Sequence, residues 1–161
     1  MTALAVIIVS YNTRDLLAAC LDSLAPELGP DEQVVVVDNG SADDSQAVVR
    51  EQYPWVGTVL QSMLYRTTTD CLQQRDPGNR VRLCKGAYAE PSEVAHQAKS
   101  AVDRNYRRCA TVLLEGDGRP LFATHDDAMI GHVLDEVSRL DRAVDSFELQ
   151  MLLGIRSDEQ V

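Results

Sequence analysis

No run in this sequence is long and apolar enough to cross a bilayer. The N-terminal run LAVIIV, residues 4–9, has six residues, against the roughly 20 that a spanning helix needs. It also has no basic flank and no small-residue cleavage site, so it reads as neither an anchor nor a signal peptide. Basic residues are scarce: 15 Lys and Arg face 25 Asp and Glu, a net charge of −10. Nucleic acid and anionic membrane surfaces, which demand Lys/Arg-rich faces, are therefore not expected partners. A phosphorylated ligand held by a few local donors stays open. Cys20, Cys71, Cys84 and Cys109 show no metal-ligand spacing with one another or with histidine, so no zinc or other metal site is expected. They read as reduced thiols of a cytoplasmic protein. No low-complexity linker interrupts the chain.

What is present alternates between two patterns. LAVIIV and QVVVVD (33–38) are continuous β-branched runs, as expected for strands buried on both faces of a parallel sheet. Between them DLLAACLDSL (15–24) has apolar residues at helical spacing, with Asn12 or Thr13 able to cap its start and Pro26, Gly29 and Pro30 ending it. NGSADDS then opens a second helix that runs to about Gln52. The pattern continues with strands over TVLQSML (58–64), RVRLC (80–84), PLFAT (120–124) and SFELQML (146–152). Helices are predicted around 69–74, from Pro91 to about Glu115, and over HDDAMIGHVLDEVSRL. The expectation is an α/β fold of six βα units with a parallel sheet and helical cover.

In such sheets ligands collect beyond the carboxyl ends of the strands. The first two ends are Ser10-Tyr11-Asn12 and Asp38-Asn39-Gly40-Ser41. Asp38 there can accept hydrogen bonds from a base or ribose, but Asp-Asn-Gly-Ser equally makes an ordinary turn and helix cap. In RVRLCKGAY, Arg80, Arg82 and Cys84 share one face, opposite Val81, Leu83 and Lys85. A charged Arg82 in so apolar a strand needs a partner. With Lys85 and Gly86 behind it, that partner is either an anionic or electron-rich ligand or a structural ion pair. Thr124, His125 and Asp126 follow another apolar strand, while Gln61 and Gln150 are lone amides among apolar neighbours. Each alone reads as structural, but four successive strands bearing one polar group each could converge on one mouth.

Two resemblances attach to these segments. VIIVSYNTRDLLAACLDSL with VVVVDNGSADDS resembles the start of a family 2 glycosyltransferase of GT-A fold. That implies nucleotide contacts from Tyr11, Asn12 and Asp38, with Asp43 as a second acidic position; the metal-binding Asp-x-Asp and the catalytic base of that family do not follow. From residue 57 onward, GTVLQSMLYRTTTD, RVRLCKGAYAEPSEVA, PLFATHD and FELQMLLGIR resemble strands four to seven of the distorted (β/α)₈ barrel of proline dehydrogenase. That family oxidises L-proline to 1-pyrroline-5-carboxylate, passes the hydride to FAD and hands the electrons to a quinone. The resemblance implies that Gln61 meets the flavin ring and that Arg82 lies near its reactive nitrogen. Lys85, Gly86 and Ala87 would approach the ribityl and phosphate portion. Thr124 and His125 would take the adenosine side, Gln150 would lie by the isoalloxazine, and Leu152 would touch the substrate pocket. The family's proline-facing Lys and Asp precede this stretch, its paired arginines follow it, and Arg156 is not one of them; no residue here is assigned a catalytic role. The division is expected near Val56-Gly57, with a nucleotide-binding βαβα segment over 1–55 and a partial barrel over 56–161. Six units cannot close an eight-stranded barrel, so marginal stability, flavin-assisted folding or self-association into a homo-oligomer that completes the barrel is expected, with activity weak or absent in the chain alone. The alternatives are a nucleotide-sugar-binding glycosyltransferase fragment and an inactive chimaera.

Overall fold

A computed structural model describes residues 4–29 and 32–152. The elements run β1 (Leu4–Ser10), α1 (Arg14–Leu24), β2 (Glu32–Asp38), α2 (Ser45–Gln52), β3 (Gly57–Gln61), α3 (Thr67–Gln74), β4 (Arg80–Cys84), α4 (Lys99–Leu114), β5 (Arg119–Ala123), α5 (Asp127–Arg139) and β6 (Glu148–Gln150). The strands follow the order β1-β2-β3-β4-β5-β6, and the pairings of β1 with β2, β2 with β3, β4 with β5 and β5 with β6 are parallel. This is the alternating α/β arrangement that the sequence leads one to expect. The chain divides into two compact units, Met1–Val59 and Leu60–Val161.

In the first unit β1 and β2 pair in step from Leu4↔Glu32 to Ser10↔Asp38, which sets the two polar strand ends level. The core forms where Leu17 and Leu21, one helical turn apart on α1, meet Val34 and Val36 of β2 and Val49, Tyr53 and Val56. All seven are buried; each such aliphatic side chain removed from water stabilises by about 1.5–3 kcal/mol. Thr13 stands at the N-cap of α1 without capping it through its side chain. Its hydroxyl instead lies 3.0 Å from that of Ser10.

The second unit is built on the strict alternation of β4. Val81 and Leu83 are buried, whereas Arg80, Arg82 and Cys84 are half-buried on the opposite face. The apolar side packs with Tyr106, Cys109, Ala110, Leu113 and Leu114 of α4, Cys71 of α3, Phe122 of β5 and Met129 and Val133 of α5. The buried positions of α4 recur at three- and four-residue intervals, the stripe of a helix facing a core. Cys71 and Cys109 are free thiols inside this cluster, and the hydrogen bond to Cys109, with burial among apolar groups, pushes the Cys71 thiol up. Arg142 fastens the far end of the unit. Its guanidinium donates to the carbonyls of Leu114, Gly116 and Gly118 and to both the carbonyl and the hydroxyl of Ser146.

Four expectations are corrected. The first two strands are not buried on both faces: Leu4, Ile7 and Val9 of β1 are exposed and only Val34, Val36 and Asp38 of β2 are fully buried, because β1 ends the strand order and the core of the unit gathers on one side, between α1 and β2. The long helix begins at Lys99, not Pro91. The intervening residues are claimed by tertiary bonds: the Tyr65 N–H donates to Val94 O at 3.0 Å, the His96 N–H donates to Met63 O at 2.8 Å, and Leu64 and Ala95 form an antiparallel bridge. The third strand stops at Gln61 rather than Leu64, because the Leu64 N–H turns back to Gln61 O. The last strand covers Glu148–Gln150 instead of 146–152, with a 3₁₀ turn over Val144–Ser146 before it. Arg156 and the rest of the C-terminal segment lie outside the described residues.

Candidate functional site

The polar residues singled out in the second unit lie at or just past the carboxyl ends of β3 to β6, except Arg82, which lies midway along β4. Arg82 Nε donates to Gln150 Oε1 at 2.8 Å, a bond between residues 68 apart in the chain. The partner demanded by a charge in an apolar strand is thus an amide, and two other arginines on the same sheet face, Arg80 and Arg119, meet Glu148. The main chain of Thr124 donates to Gln150 O at 3.2 Å, which draws β5 to β6 at this end. His125 Nε2 accepts from the Leu152 N–H at 2.9 Å. Gln61 and Thr124 are buried, whereas Ala87 and Leu152 are exposed.

Gly86 makes the turn at the end of β4 with φ +103°. A Cβ at this position would fall 2.6 Å from Met63 Cγ and 3.1 Å from Gln61 Oε1. The left-handed conformation and the close approach both call for glycine, and they bring the end of β4 against the Gln61 amide.

Lys85 is placed differently from the expected role beside a phosphate. Its Nζ lies 2.6 Å from Asp103 Oδ1 and 2.7 Å from Asp126 Oδ2. Asp126 is the N-cap of α5, with Oδ1 accepting from the Ala128 N–H at 3.0 Å. The Lys85 ammonium, ahead of the cap bond and Lys99, holds the Asp126 carboxyl down to about 2. Asp103 is likewise lowered, first by Lys85 and then by Lys99. Sequence reasoning missed Asp103 altogether and passed over Asp126. The helix-start pattern after PLFAT could have revealed the cap, but nothing local ties Asp103 to a lysine 18 residues earlier.

Gln61, Arg82, Lys85, Gly86, Thr124, His125 and Gln150 are therefore gathered at one rim by contacts within the second unit. The redox-silent donors and acceptors there, with a glycine turn that admits close backbone approach, suit a planar, hydrogen-bonding cofactor. Within the core beneath, the Tyr106 hydroxyl is buried and meets no hydrogen-bond partner among the described residues. Burial, with the nearby Cys84 and Asp126, pushes it above the ordinary phenol range.

The first unit presents an open cleft of about 440 Å³ lined by Asn12, Thr13, Arg14, Asp15, Leu16, Asp43 and Asp44. Asp43 accepts from the Arg14 N–H at 2.8 Å, and its bonds from Ser45 and Arg14 lower its carboxyl. Asn12, with φ +51°, spends its side-chain oxygen on the Ala42 N–H. Asp38 is buried and does not line the cleft. Its carboxylate accepts from the Gly40 and Ser41 N–H groups, the Ser41 hydroxyl and the Gln46 amide, which is the work of a turn. Tyr11 is exposed. Among the described residues no group of three His, Cys, Asp or Glu is placed to hold a metal ion, and no helix is long and apolar enough to cross a membrane.

The proline dehydrogenase family model matches residues 46–160, and that of glycosyl transferase family 2 matches residues 5–61. The two matches overlap over residues 46–61, across α2 and β3. Proline dehydrogenase of Deinococcus radiodurans is 45% identical over 105 residues, covering 65% of this chain and 34% of that protein. Proline dehydrogenase 2 of Bacillus subtilis is 41% identical over 112 residues, covering 70% and 37%. The chain thus spans about a third of the length of these curated relatives. Among solved structures, Proline Utilization A (PutA) of Bradyrhizobium japonicum superposes with a TM-score of 0.69 at 18% identity, over 91% of this chain and 19% of that one.

Proposed function

The chain belongs to the proline dehydrogenase family, and from that premise we propose that its second unit is the FAD-facing part of a proline dehydrogenase. Proline dehydrogenases are flavoenzymes, and FAD when bound supplies the acceptor for the hydride that leaves proline as 1-pyrroline-5-carboxylate forms. The observation that carries the reading is the gathering of Gln61, Arg82, Thr124, His125 and Gln150 from four strands. Arg82 supplies a permanent positive charge at the rim, and the Gln150 carbonyl oxygen holds the guanidinium in place. Gln61 and Gln150 orient the ring system by hydrogen bonding. Gly86 and Ala87 admit close backbone approach to the ribityl and phosphate portion. His125, with Thr124, contacts the adenosine end, and Leu152 closes the substrate side. Lys85, committed to two carboxylates, acts through structure rather than as a free phosphate ligand.

Because the chain spans about a third of its relatives, turnover of proline by this stretch alone is proposed to be weak or nil, with a quinone as final acceptor only in a complete barrel. Self-association is a further part of the proposal, as is the assignment of residues 1–55 to a nucleotide-binding segment and 56–161 to the partial barrel. The test is to titrate the purified 161-residue chain with FAD. Quenching of flavin fluorescence and a structured visible band, both lost in Arg82→Ala, are expected. A chain that leaves the spectrum of FAD unchanged at saturating concentrations refutes the reading.

The match of residues 5–61 to the glycosyl transferase model favours a second reading, a nucleotide-sugar half-site using Tyr11, Asn12 and Asp38. UDP or dTDP would then raise the melting temperature, and Asp38→Asn would cancel the rise. The saturation of Asp38 by its own loop weighs against that outcome.

A further inference from the structure

Lys85 is the hub of a bridge that joins three elements. It follows the last residue of β4, Asp103 lies in the second turn of α4, and Asp126 caps α5. The side chain of Lys85 is 23% exposed and that of Asp103 13%, so this pair is partly withdrawn from water. Lys99 also reaches Asp103, at 2.5 Å, but is 76% exposed and contributes little. The two carboxylates therefore depend on Lys85, and Lys85 on them. Either neighbour of the bridge is a turn of the rim: Gly86 follows Lys85 directly and presses on Gln61, while the Asp126 N–H donates to the Thr124 hydroxyl at 3.1 Å, spanning His125.

We infer that Asp103 is a positioning residue: through Lys85 it fixes the Lys85-Gly86-Ala87 turn and the Thr124-His125-Asp126 turn at the spacing that a flavin dinucleotide needs. The role of these turns as ligand contacts rests on the reading given under Proposed function, whereas the bracing itself is independent of any ligand. Asp103 touches no ligand; it acts by holding an ammonium that would otherwise be tied to Asp126 alone. Without its carboxylate, Lys85 keeps one charge-assisted bond, to Asp126, and the β4 turn loses its tie to α4.

The experiment compares the wild-type chain with Asp103→Asn, Asp103→Glu and, as a control that loosens the core without touching the bridge, Leu113→Ala. Amide hydrogen exchange is followed over residues 85–88 and 124–128, and FAD affinity is measured by fluorescence quenching. Asp103→Asn is expected to speed exchange at both turns and to weaken FAD about tenfold, the worth of one net charge-assisted bond. Asp103→Glu should restore much of both, and Leu113→Ala should lower the melting temperature while leaving FAD affinity near wild type. If exchange at both turns is unchanged in Asp103→Asn, the bracing is overturned. If exchange rises while FAD binds as tightly as to wild type, the positioning role is overturned. If exchange rises and even the wild type ignores FAD, the bracing stands and it is the flavin reading that fails.

Discussion

Replacing Arg142 with alanine is expected to cost the second unit more than any other single surface change. The guanidinium is half-buried and serves five acceptors: carbonyls of Leu114 and Gly116 at the end of α4, of Gly118 before β5, and the carbonyl and hydroxyl of Ser146 before β6. A net bond from a charged donor contributes about 1.5–3 kcal/mol. The simple sum overshoots, because water takes up several of these carbonyls once the side chain is gone. With solvent replacing more than half of the interaction, about 3 kcal/mol remains, part of it from a cation lost at a helix C-terminus. For a unit of this length that lowers the melting temperature by roughly 15 °C. Arg142→Lys keeps the charge but not the planar fork, and should lose about half as much. Urea and thermal denaturation followed by circular dichroism give both values. A loss below about 0.5 kcal/mol for Arg142→Ala would show that the clamp is only decorative, and the account of how β6 is held would fail with it.

Tyr106→Phe is expected to stabilise the protein by about 1 kcal/mol, since it removes a buried hydroxyl without a partner; a clear loss of stability in urea would reveal a hydrogen bond that the fold conceals. Acid should weaken the rim before it unfolds the core. The Asp126 carboxyl falls from 3.8 to about 2 in the folded chain, so its contribution is complete above the unfolded value and is lost as pH drops through about 4 to 2. Melting temperatures measured from pH 5 to 2 should fall over that window, and Asp126→Asn should flatten part of the slope; an identical slope in the variant would remove Asp126 from the explanation.

The sequence exposes what depends on local pattern. LAVIIV and QVVVVD declare strands through their β-branched runs but not their cover, since Leu4, Ile7 and Val9 of β1 are exposed, and Val81 and Leu83 alternate with Arg80 and Arg82 as a half-polar strand should. It conceals what depends on distant partners. Pro91 looks like a helix start, yet residues 94–96 are taken by Met63 and Tyr65, and no propensity reports a backbone bond to a loop some 30 positions earlier. Lys85 next to a glycine looks like a phosphate ligand until α4 and α5 fold against it with Asp103 and Asp126. Arg82 clearly needs a partner, but its being Gln150 rather than a carboxylate is settled by the register of β4, β5 and β6. Asp38 remains ambiguous in the sequence because the same Asp-Asn-Gly-Ser that could meet a nucleotide also satisfies itself.

The distribution of thiols gives the chain an internal clock. Cys20 lies exposed on α1 in the first unit, while Cys71 and Cys109 sit sealed in the core of the second. A thiol-specific reagent in excess would tag Cys20 within its own chemical lifetime, whereas the two interior sulfurs would take up label only as fast as α3 and α4 part. Half-buried Cys84 would label at an intermediate rate, so the last two adducts, followed against time, would time the opening of the second unit, while the first carries the early mark.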